Sequence, residues 1–350
     1  MFPWPGVIAR YRDQIDLPVG AAAVTLLEGN TPLIPVPRLA KSIGAGELYI
    51  KFEGLNPTGS FKDRGMTVAV SEAAYRGAET MICASTGNTA ASAAAYAARA
   101  GMRCLVLIPE GQVAVGKLAG AIAYGADVIQ INGSFDDALD MVRQSAESFP
   151  LAIVNSINPY RLEGQKTVAF EITEALGQPP DWLVLPVGNA GNISAAWMGF
   201  TALHHDRGMA LPQLLGVQAA GAAPLVDGHP IDQPKTIATA IKIGRPARGD
   251  QALSAAADSG GRIIAASDEQ ILEAQRLLAG EGIWVEPASA AGVAGLKMEI
   301  AVGRLDAAEA RIVAICTGHG MKDPSIVTDQ FPAPIRIEAD VAALEGLIQQ

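Results

Sequence analysis

Lys62 stands in the run Asn56-Pro57-Thr58-Gly59-Ser60-Phe61-Lys62-Asp63-Arg64-Gly65. A Gly/Pro/Ser turn at a helix start is an unusual place for a solvated charge. It suits an amine that must bond covalently to a carbonyl. Ser60, with Asp63 three residues on, reads as a capping-box-like helix start. Lys62 then falls in the first helical turn, against the positive end of the dipole. That placement disfavours an ammonium and favours a neutral base or an imine. A plain surface turn carrying an exposed lysine is the alternative.

Three further segments offer chemistry, and each follows an apolar strand-like run. Ala84-Ser85-Thr86-Gly87-Asn88-Thr89 precedes an Ala-rich helix. Backbone N–H groups at such a turn, with the hydroxyls of Ser85, Thr86 and Thr89, form an anion site; an ordinary N-cap is the other reading. Gly188-Asn189-Ala190-Gly191-Asn192 also lies between a strand and a helix. Two glycines let the backbone curl around a phosphate. The segment lacks the Lys-Ser/Thr of a Walker A loop and the third Gly of a dinucleotide fingerprint. Cys316-Thr317-Gly318-His319-Gly320-Met321-Lys322-Asp323-Pro324 closes the last strand. Thr317 is placed to turn a hydroxyl into a cleft. His319 reads either as a general base or as a brace between glycines.

Elements able to position these loops alternate along the chain. Strand-like runs cover 48–53, 80–84, 104–108, 127–131, 182–187, 214–218 and 311–316. Helix-like runs cover 64–76, 89–100, 113–124, 135–148, 164–176, 193–205, 268–279 and 289–302. This alternation predicts an α/β fold with mainly parallel sheets. Two anion-type loops about 100 residues apart, each on its own strand, imply two sheets and a ligand in the cleft between them. The expected division is a smaller lobe over 56–155 and a larger one over 1–55 and 156–350. The stretch 221–235 reads as a long loop.

The 350 residues suffice for a sizeable core in one or two domains. The net charge of −10 argues against a nucleic-acid partner. Cys83, Cys104 and Cys316 have no metal-ligand spacing and read as core thiols of a reducing cytosol. The N-terminus lacks the pattern of a signal peptide, and no apolar run is long enough to span a membrane.

Taken together, these segments resemble the fold type II pyridoxal-phosphate (PLP) enzymes, and within them the threonine synthases. Residues 56–65, 85–89, 188–192 and 317–324 match the family's lysine, cofactor-ring, phosphate and carboxyl-terminal motifs in order. Residues 28–33, 236–244 and 286–291 add three more matches. The resemblance spans about residues 6 to 330. It implies a two-lobed enzyme in which Lys62 carries the Schiff base and Asn88 bonds the cofactor's 3′-oxygen. Gly188, Asn189, Ala190, Gly191 and Asn192 would hold the cofactor phosphate. Thr317 would face the pyridine nitrogen, and a neutral hydroxyl there makes the ring a milder electron sink.

The same resemblance implies O-phosphohomoserine as substrate, with threonine and phosphate as products. Asn155, Ser156 and Arg161 match the family's substrate-phosphate segment, assisted by Ser85, Thr86, Thr89 and Asn189. Arg161 is the strongest candidate, because a guanidinium grips phosphate with two parallel bonds. A cytoplasmic homodimer is the family expectation. A threonine or serine dehydratase, or a phospholyase, would share Lys62 and the Gly-rich loop. A non-catalytic α/β binding module would leave Lys62 unexplained.

Overall fold

The computed structural model describes residues 3–110, 115–133, 135–149, 151–328 and 334–349. Ten strands form two sheets: β1 (Leu33–Pro35), β2 (Glu47–Phe52), β3 (Thr80–Ala84), β4 (Arg103–Pro109), β5 (Asp127–Ile131), β6 (Leu151–Ile153), β7 (Trp182–Pro186), β8 (Gln213–Ala219), β9 (Arg262–Ala266) and β10 (Arg311–Cys316). The six-stranded sheet runs β1-β2-β10-β7-β8-β9 and the four-stranded sheet β5-β4-β3-β6. Every pairing is parallel except β1 with β2. The expected α/β architecture of two mainly parallel sheets therefore holds.

The central strands are buried on both faces, as parallel strands between helices must be. In β7, Leu183 and Leu185 pack with Ile172, Ile193 and Phe200 on one side. Val184 packs with Val293 and Leu296 on the other. The period of two thus assigns alternate residues to opposite helical layers. In the smaller sheet, Met81, Cys83 and Val106 meet the alanine face of the Asn88–Ala100 helix, where small side chains let helix and sheet approach. All three cysteines are free and buried, and burial raises the thiols, Cys104 and Cys316 to about 12.

Strand order matters most for function. The chain fills β3, β4, β5 outward, then returns to lay β6 on the other side of β3. It fills β7, β8, β9 likewise, then lays β10 on the other side of β7. Each sheet therefore has one point where its order reverses, and the loops that diverge there leave a crevice at the strands' carboxyl ends. In the smaller sheet these are the loops after β3 and β6, carrying Ser85–Thr89 and Asn155–Ser156. In the larger sheet they are the loops after β7 and β10, carrying Gly188–Asn192 and Thr317.

Several boundaries differ from the sequence expectation. The helix expected over 164–176 is two helices, Pro159–Gln165 and Thr167–Leu176, meeting at Lys166. The stretch 221–235 contains a short turn of helix at Pro224–Asp227. Strands β1, β6 and β9 and the Gly249–Asp258 helix have no counterpart among the expected elements. Residues 113–114 of the expected 113–124 helix lie outside the described residues.

Candidate active site

Lys62 is the first residue of the Lys62–Tyr75 helix. The expected capping box is absent. Ser60 bridges to Gly318, and its Oγ has no hydrogen-bond partner. Because Ser60 is drawn into strand-like pairing, Asp63 turns elsewhere. Its carboxylate accepts from Thr58 N at 2.7 Å, Thr58 Oγ1 at 2.6 Å and Ser92 Oγ at 2.6 Å. The lysine loop is instead held by backbone: Phe61 N donates to Thr317 O at 2.9 Å and His319 N to Gly59 O at 3.0 Å. Thus the tail of β10 carries both Thr317 and the turn that presents Lys62.

The Lys62 side chain is mostly withdrawn from water, with Nζ 3.8 Å from the Phe61 ring centroid. Burial pulls its pKa down to about 7; the nearby Arg161 adds to the fall and Glu286 opposes it. A neutral amine near physiological pH can act as a base or attack a carbonyl.

Arg161 is 2% exposed. Nη1 donates to Val154 O at 3.1 Å, while Nε is buried without a partner. It forms no salt bridge among the described residues. Burial, with the adjacent Arg248 contributing, lowers it to about 10. A buried guanidinium lacking a carboxylate is a fitting receptor for a phosphate dianion. Close by, Asn189 Nδ2 donates to Ser156 Oγ at 2.9 Å and Asn189 Oδ1 accepts from Ala247 N at 2.7 Å. Asn155 is engaged otherwise: its amide accepts from Ala84 N and donates to Ala84 O, so it ties β6 to β3 at the order reversal.

The 188–192 loop has the form of a phosphate cradle. Ala190 is left-handed, φ 64°, and caps the 17-residue Gly191–Arg207 helix. A non-glycine residue in this region is uncommon and strained, which marks a functional turn. A left-handed residue at a helix N-terminus is a conformation in which successive backbone N–H groups can converge on an anion. A Cβ at Gly188 would lie 2.9 Å from Ile241 Cα, so no side chain fits there. Among the described residues, Asn192 Nδ2 is buried without a hydrogen-bond partner. These donors fit the phosphate of PLP, and Lys62 fits its carbonyl carbon.

On the small-lobe side, Ser85, Thr86 and Thr89 remain partly exposed around the start of the Asn88–Ala100 helix. Asn88 is buried and donates through Nδ2 to Glu286 at 2.9 Å and 3.2 Å. Thr317 Oγ1 lies 2.8 Å from Ser289 Oγ. His319 stacks on Phe52 and meets Trp284 edge-on, and its Nδ1 accepts from Met321 N. It braces the turn.

Two residues have contacts at the site that sequence reasoning did not assign to them. Arg248 donates to Ser156 O at 2.9 Å and Ile157 O at 3.0 Å, which places a second guanidinium behind the Arg161 segment. Glu286 is buried beside Asn88 and Lys62. Nothing local in the sequence signals Arg248, and the matched segment 286–291 marks Glu286 without giving its carboxylate a role. Among the described residues, no group of three or more His, Cys, Asp or Glu could hold a metal, and no helix is long and apolar enough to cross a membrane.

Comparison with known proteins agrees with this geometry. Residues 24–318 match the family described as pyridoxal-phosphate dependent enzyme. Threonine synthase of Mycobacterium leprae (strain TN) is 56% identical, covering 99% of this chain and 96% of the relative. That of Synechocystis sp. is 53% identical, covering 97% and 90%. That of Methanocaldococcus jannaschii is 52% identical, covering 97% and 87%. Among solved structures, maize serine racemase superposes with TM-score 0.75 at 21% identity over 92% of this chain and 94% of that one, a likeness of fold alone. With Lys62, the 188–192 turn, Asn88 and Thr317 all carried on loops at the carboxyl ends of the two sheets, and with relatives this similar over nearly its whole length, the chain belongs to the pyridoxal-phosphate dependent enzymes and, among them, to the threonine synthases.

Proposed function

We propose that this enzyme converts O-phospho-L-homoserine and water to L-threonine and phosphate. The observation that carries the substrate assignment is Arg161, a buried guanidinium with no carboxylate partner among the described residues, set against Lys62. A site for an unphosphorylated amino acid gives no reason to bury that charge.

Bound PLP supplies an electron sink for charge developing at the substrate's Cα. The backbone of Gly188–Asn192 would hold the cofactor phosphate, and Asn88 and Thr317 would contact its ring. Lys62 holds the cofactor, then as a free amine takes the Cα proton and later a Cβ proton. Arg161, with Ser156 and Asn189, grips the substrate phosphate as it leaves from Cγ. Cγ is then protonated, which balances the Cβ proton removed, water adds at Cβ, and Lys62 returns a proton to Cα. Positioned acid–base groups of this kind contribute about 10²–10⁴-fold. Ser85, Thr86 and Thr89 offer donors to the substrate carboxylate. We assign the smaller lobe to 56–155, the remainder to the larger, and a homodimer in the cytoplasm as the working state, with sedimentation velocity as the check on the dimer.

An assay with O-phosphohomoserine tests this reading, run beside L-threonine as a deamination control. Phosphate and threonine should appear one for one, and a Lys62→Ala protein should form neither above background. Turnover of O-phosphohomoserine at the wild-type rate by Lys62→Ala, or faster oxo-acid release from L-threonine, would overturn it.

A further inference from the structure

Glu286 precedes the Pro287–Ala301 helix as its N-cap, yet its carboxylate caps nothing on that helix. It is 5% exposed and turns across the cleft to the other lobe, where both oxygens accept from Asn88 Nδ2. Its position is tightly fixed. Glu286 N donates to Gly318 O at 3.1 Å, and a Cβ at Gly318 would lie 2.7 Å from the Glu286 Cδ. One turn further along the same helix, Ser289 meets Thr317 at 2.8 Å and accepts from Gly318 N at 2.7 Å. A single helical turn therefore supports both side chains assigned to the cofactor ring, Asn88 through Glu286 and Thr317 through Ser289. The charged groups facing Glu286 are Lys62, at the start of its helix, and Lys322 and Asp323, adjacent in the turn after β10.

An ionised carboxylate only accepts hydrogen bonds, so it dictates which end of the Asn88 amide faces it. One N–H is committed to Glu286, and the second N–H with the carbonyl stays available. Without that anchor the amide could rotate and offer its oxygen where a donor is needed.

We propose that Glu286 is a positioning residue for the cofactor: its carboxylate pins the Asn88 amide so that the free N–H meets the ring oxygen of PLP, and its negative charge faces the Lys62 nitrogen. This rests on the reading of Asn88 as a ring contact. Burial raises the Glu286 carboxyl to about 6, opposed by Lys62 and by the Asn88 bond, so it is ionised at neutral pH and above.

The test uses apoprotein reconstituted with PLP, with dissociation constants and a pH titration of the visible absorption band. Glu286→Gln should weaken PLP binding about tenfold, the scale of one hydrogen bond to a charged group. It should also lower the titration midpoint by about one unit, since an anion beside a protonated nitrogen is lost. Glu286→Asp keeps the charge but shortens the reach, so binding should weaken while the midpoint holds. It also serves if Glu286→Gln does not fold. In an Asn88→Ala background, Glu286→Gln should cost no further binding, because the two act as a unit. PLP binding within about twofold of wild type in a folded Glu286 variant overturns the proposal, as does full additivity with Asn88→Ala. An Asn88→Ala protein with unchanged binding and spectrum overturns the ring-contact reading beneath it, and the proposal with it.

Discussion

Arg161 stands against Lys62 because the helices that carry them are stitched together by glycines. A Cβ on Gly65 would lie 2.6 Å from Arg161 O, and one on Gly164 would collide with the Arg64 carbonyl. The close approach buries a guanidinium beside an amine, two like charges that repel unless one is neutral or an anion intervenes. Without ligand, Lys62 yields its proton. With a substrate phosphate bound, the cation is answered directly.

Arg161→Leu should therefore act on two observables at once. Losing a buried charge-assisted clamp costs about 2–5 kcal/mol, which lowers kcat/KM by about 30-fold or more. Removing the neighbouring cation should also raise the Lys62 pKa, since Arg161 is one of the groups that depress it. The pH dependence of PLP uptake by apoprotein reads the second effect. A variant whose uptake profile is unshifted would place Arg161 too far from Lys62 to matter.

The pKa of Lys62 also appears in stability. Its folded value of about 7 lies below the ordinary lysine value of 10.5, so between those pH values the unfolded chain binds the proton and the folded chain does not. This contribution makes the apoprotein more stable as pH rises from 7 to 10.5, and flat below 7. Lys62→Met removes the titrating group. The urea midpoint of wild-type apoprotein, followed from pH 7 to 10, should rise relative to that of Lys62→Met. Parallel curves for the two proteins would contradict the low value.

How much of this was legible in the sequence follows from how local each signal is. Strands β3, β5 and β10 and the loops after them are announced by apolar runs ending in Gly, Asn or Thr, and they stand where expected. The order reversals are not local. Nothing near Gly188 tells the chain that β10 will lie beside β7, 125 residues later by the count from 188 to 313. The Asn88–Glu286 bond spans 198 residues, so the match at 286–291 marks Glu286 without telling what its carboxylate meets. The Ser60 cap failed for the same reason: a distant partner, Gly318, competed for its backbone. β6 is three residues long, too short for periodicity to register.

A buried ionic cluster joins the lysine helix to the larger sheet and gives the acid limit of the fold. Arg64, 1% exposed, donates to Glu53 at 2.6 and 2.8 Å and to Glu171 through two bonds at 2.7 Å. Lys51 donates to Glu171 at 2.7 Å. Burial alone would raise the Glu171 carboxyl, but Arg64 and Lys51 outweigh it and bring it down to about 2. The folded value is depressed below the ordinary glutamate value of 4.5, so the stabilisation is complete above pH 4.5 and is lost as pH falls toward 2. Arg64→Met breaks one side of the cluster and leaves two carboxylates with Lys51 alone. That should destabilise the protein by about 3–5 kcal/mol, the cost of an uncompensated buried charge. Because the surplus carboxylates then gain by taking up protons, the penalty should shrink as pH is lowered from 7 toward 5. Equal destabilisation at pH 7 and pH 5, measured by urea unfolding, would mean that lost packing rather than stranded charge sets the cost.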